Sequence, residues 1–306
     1  MKLDFKQKVK SNIGLSMFIF AMTIFGAIGV LRTQINLPSD VLACARGLLG
    51  AAAIFVFCLI QKARGKSPFV RINKKSLIYL IISGAMIGIN WLILFEAYEL
   101  ASVPVVTLCY DMVSVFVVVG AFIVFKERPT KKACICLVLA LFGVTLVTGI
   151  FDGAGVKSSE IRGILMALFD AALYAAVIML NKKTTDVDAT IKTMIQLLVA
   201  GLVMIPYIFI KGDYTGISLT TKDVLLTLLA GIVNTGITYL IYFKAITKIK
   251  AETISIFSFI DPVVALILSA IVLDQRLTAL GIIGAVIILV SSFASEFDFK
   301  KLRKKS

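Results

Sequence analysis

Three aspartates lie deep inside apolar runs, and they are the residues that most need a chemical reason. Asp111, Asp170 and Asp261 are each flanked by long stretches of Leu, Ile, Val, Ala and Phe. An Asp or Arg at the centre of an apolar helix costs roughly 2.5–3.5 kcal/mol on insertion scales, so such groups are kept for pairing, solute binding or proton movement. Asp111 forms an i, i+4, i+7 polar stripe with Thr107 and Ser114, which turns one face of an apolar helix toward water or protein. A carboxylate held out of water can exchange a proton near neutral pH, and this makes Asp111 the candidate coupling group. Arg46 is the candidate charge partner, either neutralising Asp111 or Asp170 or holding an anionic solute. Asp261 precedes Pro262, whose missing donor can kink a helix, and Ser258 shares its side.

Polar and aromatic side chains accompany these charges. Asp170 and Tyr174 are one turn apart on a stripe with Gly163 and Ala167, small residues that permit close helix contact. Asn90 and Trp91 are neighbours in one run, Thr238 and Tyr239 in another, with Asn234 four residues before Thr238. An aromatic ring beside an amide or hydroxyl can stack on and orient a planar or amphipathic solute. These residues define a candidate solute path.

Catalytic chemistry finds little support. The chain has no histidine, which removes Ser-His pairs and His metal clusters. It has no Gly-rich loop with Lys-Ser/Thr for ATP, and no Asp-x-x-x-Asp pair for magnesium and diphosphate. Cys44, Cys58, Cys109, Cys134 and Cys136 all fall in apolar runs and read as small buried thiols. Asp186-x-Asp188 sits among lysines and reads as a solvated loop pair. No catalytic residue, metal or cofactor is expected.

The elements that must position the path are long apolar helices. The chain is 59% hydrophobic and 16% charged, with mean hydropathy +0.98. Soluble domains carry roughly 25% charged residues, so this composition describes a membrane protein. Windows long enough for a bilayer core of roughly 30 Å occur near residues 12–33, 38–60, 76–98, 102–125, 132–150, 161–181, 190–210, 222–245, 251–273 and 278–296. Residues 1–10 give a basic start, but the run from Ser11 to Leu31 is too long for a signal peptide and reads as a first helix that stays in place.

The net charge of +14 sits in alternate loops rather than on one face, which argues against nucleic acid. Twenty-four basic residues fall on one side, from Lys2 through the loops at Lys62–Lys75, Lys126–Lys132, Lys182–Lys192 and Lys248–Lys250 to the tail at Lys300–Lys305. Six fall on the other, namely Arg32, Lys157, Arg162, Lys211, Lys222 and Arg276. That asymmetry places both termini in the cytoplasm.

The chain also repeats itself. A shift of 148 positions brings Gly88 onto Gly236, Phe95 onto Phe243, Ala97 onto Ala245, Val115 onto Val263, Arg128 onto Arg276 and Thr130 onto Thr278. Five windows separate each copy from its mate, and an odd number turns the second half upside down. Inverted repeats of this kind mark secondary transporters, with the solute site at the repeat interface near the midplane. The register puts Asp111 opposite Phe259 and Asp261 opposite Val113, so the symmetry ends where a solute should sit.

Two copies of five windows, the Lys126-Glu127-Arg128 and Asp274-Gln275-Arg276 turns, Asp261-Pro262, and Pro38 followed by Arg46 resemble the drug/metabolite transporter superfamily, specifically its EamA-type permeases. The similarity runs from about Ile13 to Ser295, and departs at Ser114, where the family has proline, and at Gln275 in place of glutamate. It implies an all-α integral membrane carrier of ten transmembrane helices in two inverted five-helix repeats. Residues 1–150 form the first repeat, 151–160 an external connector, 161–298 the second repeat, and 299–306 a basic cytoplasmic tail. The resemblance further implies that spans 1, 3, 4, 6, 8 and 9 line the path.

The expected function is a secondary transporter, an exporter of small organic metabolites such as amino acids or related compounds across the plasma membrane by alternating access, with a proton as coupling ion. The alternative is a membrane-embedded non-transporting protein or a lipid-modifying enzyme. Expected partners are a small-molecule solute and membrane lipid; a homo-oligomer is compatible with the sequence.

Overall fold

The computed structural model describes residues 2–66, 72–125, 131–148, 151, 157–211, 214, 219–249 and 251–296. Among the described residues there is no strand. Four helices each fill one predicted window to within about three residues: α3 (Ser39–Ala63), α4 (Lys74–Leu100), α8 (Ser158–Asn181) and α9 (Ala189–Lys211). The first window holds α1 (Lys2–Gly26) and α2 (Ile28–Thr33), separated at Ala27. The window at 222–245 holds α10 (Thr221–Leu228), a π-helical stretch Leu229–Ile237, and α11 (Thr238–Ile246) in one continuous rod. Six of these rods are long and apolar enough to cross a membrane. Four shorter apolar helices occupy the other windows, within α5 (Val103–Tyr110) and α6 (Val113–Phe125), α7 (Lys131–Val147), α13 (Ile260–Val272, preceded by α12, Ala251–Phe257) and α14 (Ala279–Glu296). The chain is a multi-pass membrane protein.

Local chemistry explains the helix starts. The Asn73 side chain accepts from the Lys75 N–H to cap α4, and Thr220 and Asp223 exchange hydrogen bonds across the first turn of α10. Pro38 precedes α3 and Pro104 lies in the first turn of α5, where its missing N–H costs nothing. The outer faces stay apolar: Ile78, Ile81, Ile82 and Ile89 of α4 form one exposed stripe at helical spacing. In water such a stripe would be a liability; in lipid it is the solvation surface.

Two crossings bring backbones into contact. A Cβ at Gly47 of α3 would meet the Gly201 amide nitrogen at 2.6 Å and the Leu197 carbonyl at 2.8 Å, so α3 and α9 pack as closely as only glycine permits. Gly143 of α7 and Gly284 of α14 face each other in the same way.

The packing exchanges when the two halves are exchanged. Helix α1 lies on α11 and α13, while α8 lies on α4 and on α5–α6. Helix α3 rests on the π-helical stretch, and its counterpart α9 on α4. The two largest contacts, α3 with α9 and α7 with α14, each join counterparts. Loop ties follow the same rule. The Asn36 N–H donates to Asp223 Oδ1 at 2.8 Å, tying the α2–α3 loop to the start of α10. The Ser76 hydroxyl reaches both Asp186 carboxylate oxygens, at 2.7 and 2.9 Å, tying the α8–α9 loop to the start of α4.

The structure departs from the sequence expectation at three helix breaks. The polar stripe of Thr107, Asp111 and Ser114 does not lie on one helix, because α5 ends at Tyr110 and α6 begins at Val113. The Ser258–Asp261 side is likewise interrupted, with α12 ending at Phe257 and α13 beginning at Ile260. At each break, and at Ala27, the turn tightens to an i→i−3 bond: Met112 N–H to Cys109, Asp261 N–H to Ser258 and Ala27 N–H to Ile24. Pro262 therefore falls in a first helical turn rather than bending a continuous helix. The Lys126-Glu127-Arg128-Pro129 turn with Thr130, most of the 151–160 connector, and the 299–306 tail lie outside the described residues.

Candidate functional site

Helix α3 carries Arg46 into the interior, where it is 5% exposed. Its Nε donates to the Thr235 hydroxyl at 2.6 Å and its Nη2 to Asn234 Oδ1 at 3.3 Å. The guanidinium carbon lies 4.2 Å from the Trp91 ring centroid and 5.7 Å from that of Phe95, both from α4. Among the described residues no carboxylate is within 4 Å of Arg46, so it forms no ion pair with Asp111 or Asp170. This buried cation is held by a hydroxyl, an amide and two aromatic faces, a cation–π arrangement that offsets part of its desolvation.

The π-helical stretch is what presents two adjacent residues to one guanidinium. Widening the helix releases carbonyls from the i→i−4 ladder, and hydroxyls take them up: Thr235 donates to the Ala230 carbonyl at 2.8 Å and Thr238 to that of Val233 at 2.7 Å. Asn234 Nδ2 donates at 2.5 Å to the carbonyl of Ile24, just before the α1–α2 break. The amide is thereby fixed with its oxygen toward Arg46. A Cβ on Gly26 would strike the Asp261 carbonyl, so α1 closes onto the first turn of α13 at the same level. Phe25, between these two contacts, packs on Tyr239 with ring centroids 5.0 Å apart.

A second polar pair lies between α4 and α8. Asn90 Nδ2 donates to Asp170 Oδ1 at 2.6 Å and to the Asp170 carbonyl at 3.1 Å, and both residues are fully buried. Asp170 Oδ2 and Asn90 Oδ1 have no hydrogen-bond partner among the described residues. Tyr174, one turn along α8, lies 5.9 Å from Tyr110 of α5. Tyr98, Tyr110, Tyr174 and Tyr239 all lie within electrostatic range of the Arg46 guanidinium.

The other candidates ring this centre. Asp111 caps the C-terminal end of α5, half-buried, and its carbonyl accepts from Ser292 of α14 at 3.4 Å. Ser114 is half-buried in the first turn of α6, Ser258 half-buried at the α12–α13 break, and Asp261 half-buried in the first turn of α13. The candidates brought into direct contact are thus Arg46 with Trp91 and Asn234, Asn90 with Asp170, and Tyr174 with Tyr239, whose side chains hydrogen-bond, while Asp261 lies within electrostatic range of Arg46.

Several participants have no sequence signal of their own. Thr235 and Phe95 enter through the π-helical widening and the α4 face opposite α3, and Phe25 through a break marked only by Gly26-Ala27. Arg32, counted above as a loop charge, is 4% exposed; it pairs with Glu99 and donates to Ser39 and to the Ile35 carbonyl, closing the end where α2, α3 and α4 meet. At that end Asp40 accepts from the Tyr214 phenol at 2.5 Å and lies 3.6 Å from Lys211 Nζ. Desolvation and the adjacent Asp40 carboxylate raise the Tyr214 phenol above its ordinary value, so it remains a donor there.

Known proteins share this architecture. The chain is 27% identical over 282 residues to "Uncharacterized transporter YxxF" of Bacillus subtilis (strain 168), covering 92% of this chain and 88% of that one. It is 28% identical over 193 residues to a "Probable amino-acid metabolite efflux pump" of Escherichia coli (strain K12), covering 60% and 64%. A solved crystal structure superposes with TM-score 0.64 at 16% identity, over 94% of this chain and 98% of that one, which places the fold. The profile of the EamA-like transporter family matches in two segments, residues 12–149 and 161–295, one for each repeat. With both repeats matched, the chain belongs to the EamA-like transporter family.

Proposed function

We propose that this protein is a secondary carrier that exports small organic metabolites, amino acids or related compounds, across the plasma membrane by alternating access. The observation that carries the reading is the composition of the central cluster. Arg46 comes from the first half and its partners Asn234 and Thr235 from the second; Asn90 comes from the first and Asp170 from the second. Polar groups shared across a repeat interface inside an apolar bundle are what a carrier needs, because moving one half against the other remakes the site. Ten crossings, two inverted repeats and cytoplasmic termini complete the proposal. They are supported by the packing that exchanges with the halves and by the 24-to-6 division of basic residues. The efflux pumps among the relatives support the direction and the solute class.

Alternating access predicts alternate exposure. In a chain whose own cysteines are replaced, Cys introduced at Asn90, Asn234 and Ser258 should react with a membrane-impermeant maleimide from either side, and solute should change the ratio. Complete protection from both sides would instead support a non-transporting membrane protein.

Coupling is assigned to a proton at Asp111, on its place at the α5–α6 break. In proteoliposomes, solute-driven internal pH change should vanish in Asp111→Asn while downhill solute movement survives. Unchanged proton movement with intact transport removes Asp111 from that role and leaves Asp170 as the next carboxyl to substitute.

A further inference from the structure

The guanidinium of Arg46 has five N–H donors, and the described residues occupy only two of them. Both occupied donors lie along the Nε–Nη2 edge. Nη1 makes no hydrogen bond to the described residues and Nη2 uses one of its two N–H groups, so both nitrogens of the end-on fork keep a donor. Its orientation is set from three directions: the Thr235 hydroxyl is anchored on Ala230, the Asn234 amide on Ile24, and the flat face rests on Trp91. A cation fixed this firmly and buried to 5% exposure, with no carboxylate within 4 Å among the described residues and the Asp261 carboxyl within electrostatic range but outside ion-pair distance, is a preorganised receptor for an anion that reaches the fork.

Two features narrow the anion. One guanidinium supplies one positive charge, part of which the field of Asp261 offsets, so a monoanion is matched better than a doubly charged phosphate. The two parallel N–H groups of an end-on fork match the two oxygens of a carboxylate. The surroundings are Trp91, Phe95, Tyr98, Tyr110, Tyr174 and Tyr239, which favour an apolar or aromatic body.

We propose that the end-on fork of Arg46 binds the carboxylate of the transported solute, so that the solutes are organic monocarboxylates with an apolar or aromatic body, flanked by Trp91. This assignment rests on the carrier reading and specifies the group by which the carrier holds its solute. Asn234 and Thr235 act as positioning residues: being on the second half, they aim the fork only while the halves are apposed as in this conformation.

The test compares acids with their amides on the full chain in detergent. The probes are 3-phenylpropionate, L-phenylalanine, 3-phenylpropanamide, L-phenylalaninamide and inorganic phosphate, each titrated by thermal stabilisation. The acids should bind at least roughly tenfold tighter than the matching amides, as expected for losing a charge-assisted bidentate pair, and phosphate should not stabilise. Arg46→Gln should abolish the preference for acid, and Arg46→Lys should keep part of it. The acid–amide comparison needs only the unsubstituted protein, so it stands even where Arg46→Gln does not fold. Equal binding of acid and amide, or an undiminished acid preference in Arg46→Gln, overturns the assignment. Binding of none of the probes overturns it too. Counterflow of neutral and cationic solutes in proteoliposomes then tells whether the carrier reading survives without it.

Discussion

Asn90 and Asp170 show how a buried pair is read at the scale of single residues. One donor is used twice on Asp170, and two acceptor oxygens remain without partners among the described residues. Removing one member of a buried polar pair exposes the full desolvation cost of the other, whereas removing both with shape kept is nearly neutral. Asn90→Leu should therefore destabilise the protein by about 1–3 kcal/mol, and Asn90→Leu with Asp170→Leu should recover most of that loss, measured by denaturation in a fixed detergent. A double variant as unstable as the sum of its parts would show that the pair is not the interacting unit. At this scale the sequence was informative about identity and silent about partnership. Asp170, Asn90, Trp91 and Arg46 stand out because polar or bulky groups in apolar helices need a reason. Which of them meet is decided by helix rotation: Arg46 finds Asn234 and Trp91 rather than Asp111 or Asp170.

Helix length and hydropathy carry most of what is legible at the scale of elements. Continuous rods such as α3, α4, α8 and α9 end close to where apolar runs and caps end. The breaks at Ala27, Asp111–Met112 and Ser258–Phe259 and the π-helical stretch are not legible in that way, because hydropathy is insensitive to backbone pitch. They matter most for the site: the π-helical stretch gives Arg46 two partners, and the α1–α2 break supplies the Ile24 carbonyl. Close crossings give a sharper test. Gly47→Ala would drive a Cβ into the backbone of α9, and overpacking of this kind costs about 1–3 kcal/mol. Gly281→Ala meets only side-chain atoms, at 3.3 Å or beyond, and should be neutral or slightly stabilising because alanine favours the helix. The paired melting temperatures decide it: an undisturbed Gly47→Ala means that α3 and α9 do not cross this closely.

For the whole molecule, the register of 148 positions and the alternation of loop charge are the informative features, since both report on arrangement rather than on local structure. Adding 148 to Pro38 and Ser76 gives 186 and 224, beside the Asp186 and Asp223 that make the two loop ties. Those ties, the α1–α11 and α8–α4 contacts and the crossing of α3 on α9 are the contacts that the proposed inverted repeat calls for. The charged centre does not follow that symmetry: Arg46 falls opposite Met194, and Asp170 opposite Met22. In the proposed carrier a symmetric frame rocks and an asymmetric site recognises the solute. The central claim is that the frame moves a solute held at that site, and solute counterflow reads this without any assumption about the coupling ion. Proteoliposomes containing the full chain are loaded with unlabelled L-phenylalanine and diluted into a trace of the labelled compound. Transient accumulation of label above equilibrium is the expected result, with Arg46→Gln reducing its initial rate at least roughly tenfold. No accumulation beyond that of empty liposomes, for L-phenylalanine and for a panel of other amino acids alike, would contradict it.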